Sequence, residues 1–232
     1  DYYSDIYDRY DLVNRVFTFG LDRKWRKKAV IACLDNDPHE VIDVCTGTGE
    51  LILGIARQAT SRLNMTGYDF SPEMLRKAVE KSKRTGFPVT FVEGDVGDMP
   101  FSNGFFDTAG IAFGIRNLMY NNSASGRHLA EIYRVLKTGG RFVILESCKP
   151  GNRIRRFFNA FYLNLILPYL GGIFSGNFKA YRYLAKSTKN YLTRQEMKEL
   201  LEANGFRVIK SRSLFPGSVM LMVAEKQVTS AR

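Results

Sequence analysis

Three aspartates recur at one kind of place in the first hundred residues. Asp43 lies in the apolar run "VIDVC" (41–45), Asp69 closes "LNMTGYD" (63–69), and Asp95 follows "VTFVE" (89–93). Carboxylates at the ends of short buried runs can accept hydrogen bonds from the ammonium, hydroxyl and amino groups of one polar ligand. Gly47 and Gly49 lie between the first two, and backbone without side chains can approach such a ligand closely. Further on, "IAFGIRNLMY" (111–120) ends an apolar run with a guanidinium and an amide, Arg116 and Asn117. A fixed cation there can stabilise an anion that forms during a reaction. Arginine is effectively always protonated, so it is a poor base itself. Gly114 is read as removing a side chain where two ligands meet. Histidine chemistry is not expected: His39 precedes the first run and His128 falls inside a helix, so neither is placed for catalysis. No metal site is expected. Cys33, Cys45 and Cys148 are too few and too scattered for a disulfide framework, which fits a reducing compartment. Cys45 is read as packing.

These residues need a scaffold that brings strand ends together. The three runs above, "FFDTAGIAF" (105–113) and "GRFVILES" (140–147) read as strands, with helical runs at 50–60, 72–85 and about 123–137. Ser71 and Pro72 form a cap and first helical position for the second helix. Strands alternating with helices predict a parallel sheet covered on both faces, doubly wound by right-handed crossovers. Thr193 to Glu196 reads as a capping box, with Gly205 as the stop after "TRQEMKELLEANG". "FRVIKSRS" and "SVMLMVAEK", joined by "LFPG", predict an antiparallel pair at one edge. The expected organisation is one α/β domain over 1–232, with a helical cover at 1–30 and a helical lid inserted at 150–192. The apolar stretch 160–174 in that lid is too short to span a bilayer and is interrupted by Pro168, so it is read as buried or interfacial.

In such a sheet, ligands bind outside the carboxyl ends of the strands, where all three acids fall. The dinucleotide fingerprint needs a third glycine, but Ile52 stands in its place, so NAD is disfavoured. The acidic strand followed by a shorter glycine pair looks instead like motif I of S-adenosylmethionine-dependent methyltransferases. Asp43 would favour the positive charge and ammonium group of that cofactor. Asp69, 20 residues after Gly49, could accept both ribose hydroxyls. Phe70 could flank an adenine, with Asp95 and the Val96 N–H near its amino edge.

Charge is uneven. The chain carries a net +11, and Lys149 to Arg212 alone carries 13 Lys and Arg against 3 Glu. A basic C-terminal third suits an anionic surface. No Asn/Asp-Pro-Pro-aromatic run occurs and no proline precedes a cysteine, so nucleic-acid base methylation loses support. No signal peptide is visible, and the start at Asp1 rather than Met leads us to expect a short missing N-terminal piece.

Taken together, the motifs resemble the ubiquinone/menaquinone biosynthesis C-methyltransferases over nearly the whole length. "YDLVNRVFTFGLDRKWRK" (10–27), "FFDTAGIAFGIRN", "EIYRVLKTGGRFVILESCKP" and "YRYLAKSTKNYLTRQEMKELLEANGF" carry the likeness. The resemblance implies a class I Rossmann-like fold, S-adenosylmethionine as donor and S-adenosylhomocysteine as product. It also implies a prenylated hydroquinone or naphthoquinol acceptor. Thr48, Asp69, Asp95 and Val96 match its cofactor positions, and Ala112 matches one that is usually Ser. Tyr10, Arg116 and Asn117 match residues near the quinol. Thr46 stands where the family usually has Gly, and "FPGSVMLMV" replaces its C-terminal Gly-Gly segment. The expected location is the cytoplasm, with a peripheral position at the inner face of the membrane and a homodimer left open. The alternatives kept open are another acceptor (small phenol, lipid or RNA) and a non-catalytic cofactor-binding module.

Overall fold

The computed structural model describes Thr18 and residues 20–119, 122–152, 154, 156–157 and 191–227. Seven strands form one sheet: β1 (Glu40–Val44), β2 (Asn64–Asp69), β3 (Thr90–Glu93), β4 (Phe106–Ala112), β5 (Leu136–Ser147), β6 (Phe206–Leu214) and β7 (Val219–Lys226). Their order is β3-β2-β1-β4-β5-β7-β6. The order in which strands are added therefore reverses between β1 and β4, the switch point where open α/β sheets take ligands. The pairs from β3 to β5 are parallel, and β7 runs antiparallel between β5 and β6.

The strands are apolar on both sides because both faces are covered. Along β5, Phe142 and Ile144 enter one core, and Val143 and Leu145 enter the other. The same alternation runs along β7: Met220, Met222 and Ala224 on one face, Leu221 and Val223 on the other. Helices α1 (Leu21–Leu34) and α2 (Glu50–Gln58) cover one face. Helix α5 (Ser125–Val135) and helix α6 (Arg194–Ala203) cover the other.

Local signals set the helix ends. Helix α3 (Pro72–Thr85) starts as expected, with the Ser71 hydroxyl accepting from the Met74 N–H at 3.4 Å. The capping box at α6 is complete: Glu196 N–H donates to Thr193 Oγ1 at 3.2 Å, and Thr193 N–H to Glu196 Oε2 at 2.7 Å.

Three boundaries differ from expectation. A short helix, α4 (Ile115–Met119), starts directly after Gly114. Helix α5 stops at Val135, because Leu136 is already extended and pairs with Phe106. The register then shifts between Phe106 and Thr108, near Gly139 with its positive φ, and β5 begins four residues before its expected start at Gly140. The helix in the expected N-terminal cover ends at Leu34, and its Trp25 Nε1 donates to Phe215 O at 2.9 Å. Residues 1–17, Tyr10 among them, and most of the expected lid, 158–190, with the whole apolar stretch 160–174, lie outside the described residues.

Candidate active site

The glycine loop after β1 is held by the acids around it. Asp43 is 1% exposed. Its Oδ2 accepts from the Thr46 hydroxyl at 2.7 Å and from the Ile52 N–H at 3.2 Å, while Oδ1 makes no hydrogen bond. Burial pushes this carboxyl up to about 7, against the pull of Thr46, the Arg26 guanidinium and Ile52. Thr46 thus ties the loop to Asp43. Gly47 and Gly49 both have positive φ, 56° and 81°, which glycine adopts without strain. The space beside Gly47 is open, since a Cβ there would meet nothing within 4 Å.

Asp69 joins the loop to β2. Its Oδ2 accepts from the Gly47 N–H at 2.8 Å and its Oδ1 from the Ser71 N–H at 3.0 Å. Burial raises its pKa even so. Thr48 is buried, and its hydroxyl accepts from Lys81 Nζ at 3.0 Å. Lys81 also meets Glu50 at 2.7 Å, so α3 anchors the loop through a residue that the sequence did not single out. Phe70 beside Asp69 is 77% exposed, a bare ring at the edge of the site.

Asp95 sits in the loop after β3 and is exposed, with the buried Val96 behind it. The Gly97 N–H donates to its Oδ1 at 2.8 Å and Arg127 Nη2 to its Oδ2 at 3.1 Å. These partners, the Gly97 N–H first, lower its pKa. His128 falls inside α5, as expected, and its ring reaches the same loop. Its Nδ1 lies 3.1 Å from Leu118 O and its Nε2 3.6 Å from Asp95 Oδ1. The reason is that α5 clasps the whole loop. Glu131 accepts from the Met99 N–H at 2.9 Å, and Arg134 donates to the carbonyls of Met99 and Phe101 at 2.9 and 2.7 Å. Positions 127, 128, 131 and 134 share one helical face, a spacing that could have revealed them.

At the end of β4, Ala112 pairs with Leu145, and Phe113 follows with φ 61°. Gly114 has a different role from the expected one. A Cβ on it would lie 2.6 Å from Cys45 Cβ, so its bareness admits Cys45 rather than two ligands. Burial raises the Cys45 thiol, with Asp69, Asp43 and Glu146 adding to it, in keeping with a packing role. Asn117 is exposed, and Arg116 is buried against a residue the sequence reading missed. Glu146, 0% exposed near the end of β5, accepts the Arg116 backbone N–H at 3.2 Å, and its Oε1 lies 3.9 Å from Arg116 Nε. Burial raises the Glu146 pKa and the Arg116 charge opposes it. The buried Tyr191 hydroxyl, also without a hydrogen bond, feels both charges. An acid within the apolar run "FVILES" was the available signal.

The edge therefore gathers Asp43, the glycine loop, Asp69, Asp95, Ala112, Arg116 and Asn117 at the carboxyl ends of neighbouring strands. Among the described residues no group of three His, Cys, Asp or Glu could hold a metal ion. The chain matches the ubiE/COQ5 methyltransferase family over residues 1–226. It belongs to that family. A demethylmenaquinone methyltransferase from Thermus thermophilus is 41% identical over 206 residues, which are 89% of this chain and 91% of its own. The ubiquinone/menaquinone biosynthesis C-methyltransferase UbiE from Geobacter sulfurreducens is 39% identical over 230 residues, 97% of this chain and 87% of its own. A SAM-dependent methyltransferase of Aquifex aeolicus shares the fold, with a TM-score of 0.58 at 18% identity, covering 81% of this chain and 82% of that one.

Proposed function

We propose that this ubiE/COQ5-family enzyme transfers a methyl group from S-adenosylmethionine to a ring carbon of a prenylated hydroquinone or naphthoquinol in quinone biosynthesis. Membership of the family and the activities named for its relatives support the reaction class. The observation that carries it to this site is the row of acids and the open glycine loop at the switch point. The residues fit the cofactor: Asp43 has a carboxylate oxygen to spare, and the space beside Gly47 is open. The bound cofactor supplies an electrophilic methyl group.

In this reading Asp69 accepts the ribose hydroxyls, while Asp95 and the Val96 N–H face the adenine edge. Phe70 covers one ring face, and Thr48 and Ala112 line the pocket. The acceptor carbon becomes nucleophilic when its neighbouring hydroxyl loses a proton. Arg116 favours that phenolate, and Asn117 with Arg116 holds a water that takes the proton. Glu146 sits behind Arg116 and fixes its place. Tyr10 and the apolar stretch 160–174, which lie outside the described residues, are the candidates for contact with the quinol and its prenyl tail. Holding acceptor and methyl in line can supply roughly 7–11 kcal/mol of the barrier lowering.

The basic C-terminal third supports a peripheral position on an anionic membrane. No helix among the described residues is long and apolar enough to cross one. The testing experiment offers labelled S-adenosylmethionine with demethylmenaquinol, demethylubiquinol and total lipid extract. Label on a ring carbon of a quinol supports the reading, and label only on another acceptor overturns it.

A further inference from the structure

The hairpin between β6 and β7 ends on an aromatic ring that faces water. Leu214 closes β6, Val219 opens β7, and the two pair with each other, both buried. Phe215 and Pro216 follow Leu214 on the outside, and Phe215 is 78% exposed. One exposed apolar residue is ordinary by itself. This one is held outward by its backbone. The Gly217 N–H donates to Leu214 O at 2.6 Å and closes the turn, while Phe215 O accepts from Trp25 Nε1 at 2.9 Å. The apolar space under the turn is already filled by Trp25, Leu214 and Val219, so the ring stays in water.

The surroundings of the tip are apolar and cationic. Strand β7 is antiparallel to both β5 and β6, so β6 runs with β5 and the tip lies at the ligand edge. There the Cys148 N–H donates to Ser218 O at 2.8 Å, and the chain leaving β5 exposes Ile154 and Phe157. Helix α1 reaches the same edge with its first turns. Its far end leads to the amino edge, where Asn36 accepts from Thr108 at 3.1 Å and Asp35 from Arg141 at 3.2 Å. The first turns expose Arg23, Lys24, Lys27 and Lys28 around the buried Trp25. Arg212, just before the tip, is exposed as well, and no Asp or Glu occurs from Phe206 to Ser218.

We propose that the Phe215 tip is a membrane-docking finger, its ring entering the acyl region of an anionic bilayer while Arg212 and the exposed cations of α1 meet the lipid phosphates. This rests on the peripheral position proposed above and assigns it to one hairpin and one helix. An apolar body ringed by cations matches an anionic lipid surface, where acyl chains take the ring and headgroups take the charge. Neither a purely acidic surface nor a purely apolar one meets both needs. Because the tip lies on the ligand edge, docking also turns the candidate site toward the bilayer that holds a prenylated acceptor.

Sedimentation with vesicles of equal parts phosphatidylglycerol and phosphatidylcholine tests this on the full chain. Phe215→Ser is expected to bind about 10-fold more weakly than wild type, or worse, with Phe215→Leu keeping most of the affinity. Both variants should bind S-adenosylhomocysteine as wild type does. Lys24→Gln with Lys27→Gln is expected to weaken vesicle binding by about 10-fold or more and to flatten its salt dependence. Insertion itself is read by moving the single tryptophan of the chain to the tip, as Trp25→Phe with Phe215→Trp. Its emission is expected to shift to the blue on vesicles and to be quenched by lipids brominated on their acyl chains. Wild-type binding by Phe215→Ser, or an unquenched tip tryptophan on bound protein, overturns the finger while the peripheral position stands. A dimer that Phe215→Ser dissolves without changing vesicle binding overturns it too, and puts a second copy of the chain on the tip. Wild-type protein that binds no anionic vesicle overturns both.

Discussion

At the scale of single residues, Asp43 carries a charge whose cost is visible in its pKa. Burial raises that carboxyl from its ordinary 3.8 to about 7. Between those values the folded protein keeps a proton that the unfolded chain has released, so stability from this group falls as pH rises through 7. Asp43→Asn removes that slope. Its melting temperature relative to wild type should therefore be higher at pH 8 than at pH 5, as scanning calorimetry would register. A bound ammonium needs the ionised form. Wild-type affinity for S-adenosylhomocysteine should then fall as pH drops below about 7, up to tenfold per unit, while Asp43→Asn shows no such slope. Arg116 raises a different question, because it has a structural partner. Removing it leaves Glu146 buried without its counter-charge, which costs about 3–5 kcal/mol in comparable pairs. Arg116→Ala should unfold at lower denaturant, and Arg116→Ala with Glu146→Gln should regain most of the loss. If turnover stays lost in the stable double variant, the role of Arg116 is chemical; if turnover returns with stability, its role is structural. Asp43, Asp69 and Asp95 were legible in the sequence because each lies in, closes or follows a short apolar run. Glu146 and Lys81 were not, since their partners lie 30 or more residues away and only the folded chain brings them together.

At the scale of elements, the loop after β1 and the end of β4 share one tight contact. Gly114 leaves room for Cys45, whose own φ of 54° is unusual for a residue with a side chain. Gly114→Ala should cost about 1–3 kcal/mol through that clash. Cys45→Gly in the same background should restore stability, since it removes both the clash and the strained φ; urea melts of the three variants decide it. The element pattern itself was readable where local chemistry is strong. Ser71, Pro72, Thr193 and Glu196 mark the starts of α3 and α6 as the sequence suggests. The stretch from Met119 to Gly140 was harder. Its helix was expected to run to about 137, yet the pairing of Leu136 with Phe106 claims that residue for the sheet. A tertiary contact overrides local preference there.

At the scale of the whole molecule, two asymmetries meet. The sheet presents its acids along one edge, and the surplus positive charge falls in the last third of the sequence. If that surplus meets lipid, sedimentation with vesicles should rise with the fraction of anionic lipid and collapse at high salt, because each surface Lys or Arg contributes about 1 kcal/mol that salt screens. Equal binding to neutral vesicles would contradict it. The strand order could not be taken from the sequence beyond its class, since periodicity shows which residues are buried but not which strands are neighbours. The insertion of β7 between β5 and β6 is such a case. The most direct measurement is transfer of a 13C-labelled methyl group from S-adenosylmethionine to demethylmenaquinol or demethylubiquinol, with the product read by NMR. A labelled carbon bonded to a quinol ring carbon, with one S-adenosylhomocysteine formed per methyl, is the expected result. Label on oxygen, or no transfer to either quinol by protein that binds S-adenosylhomocysteine, contradicts C-methylation of a quinol at this site.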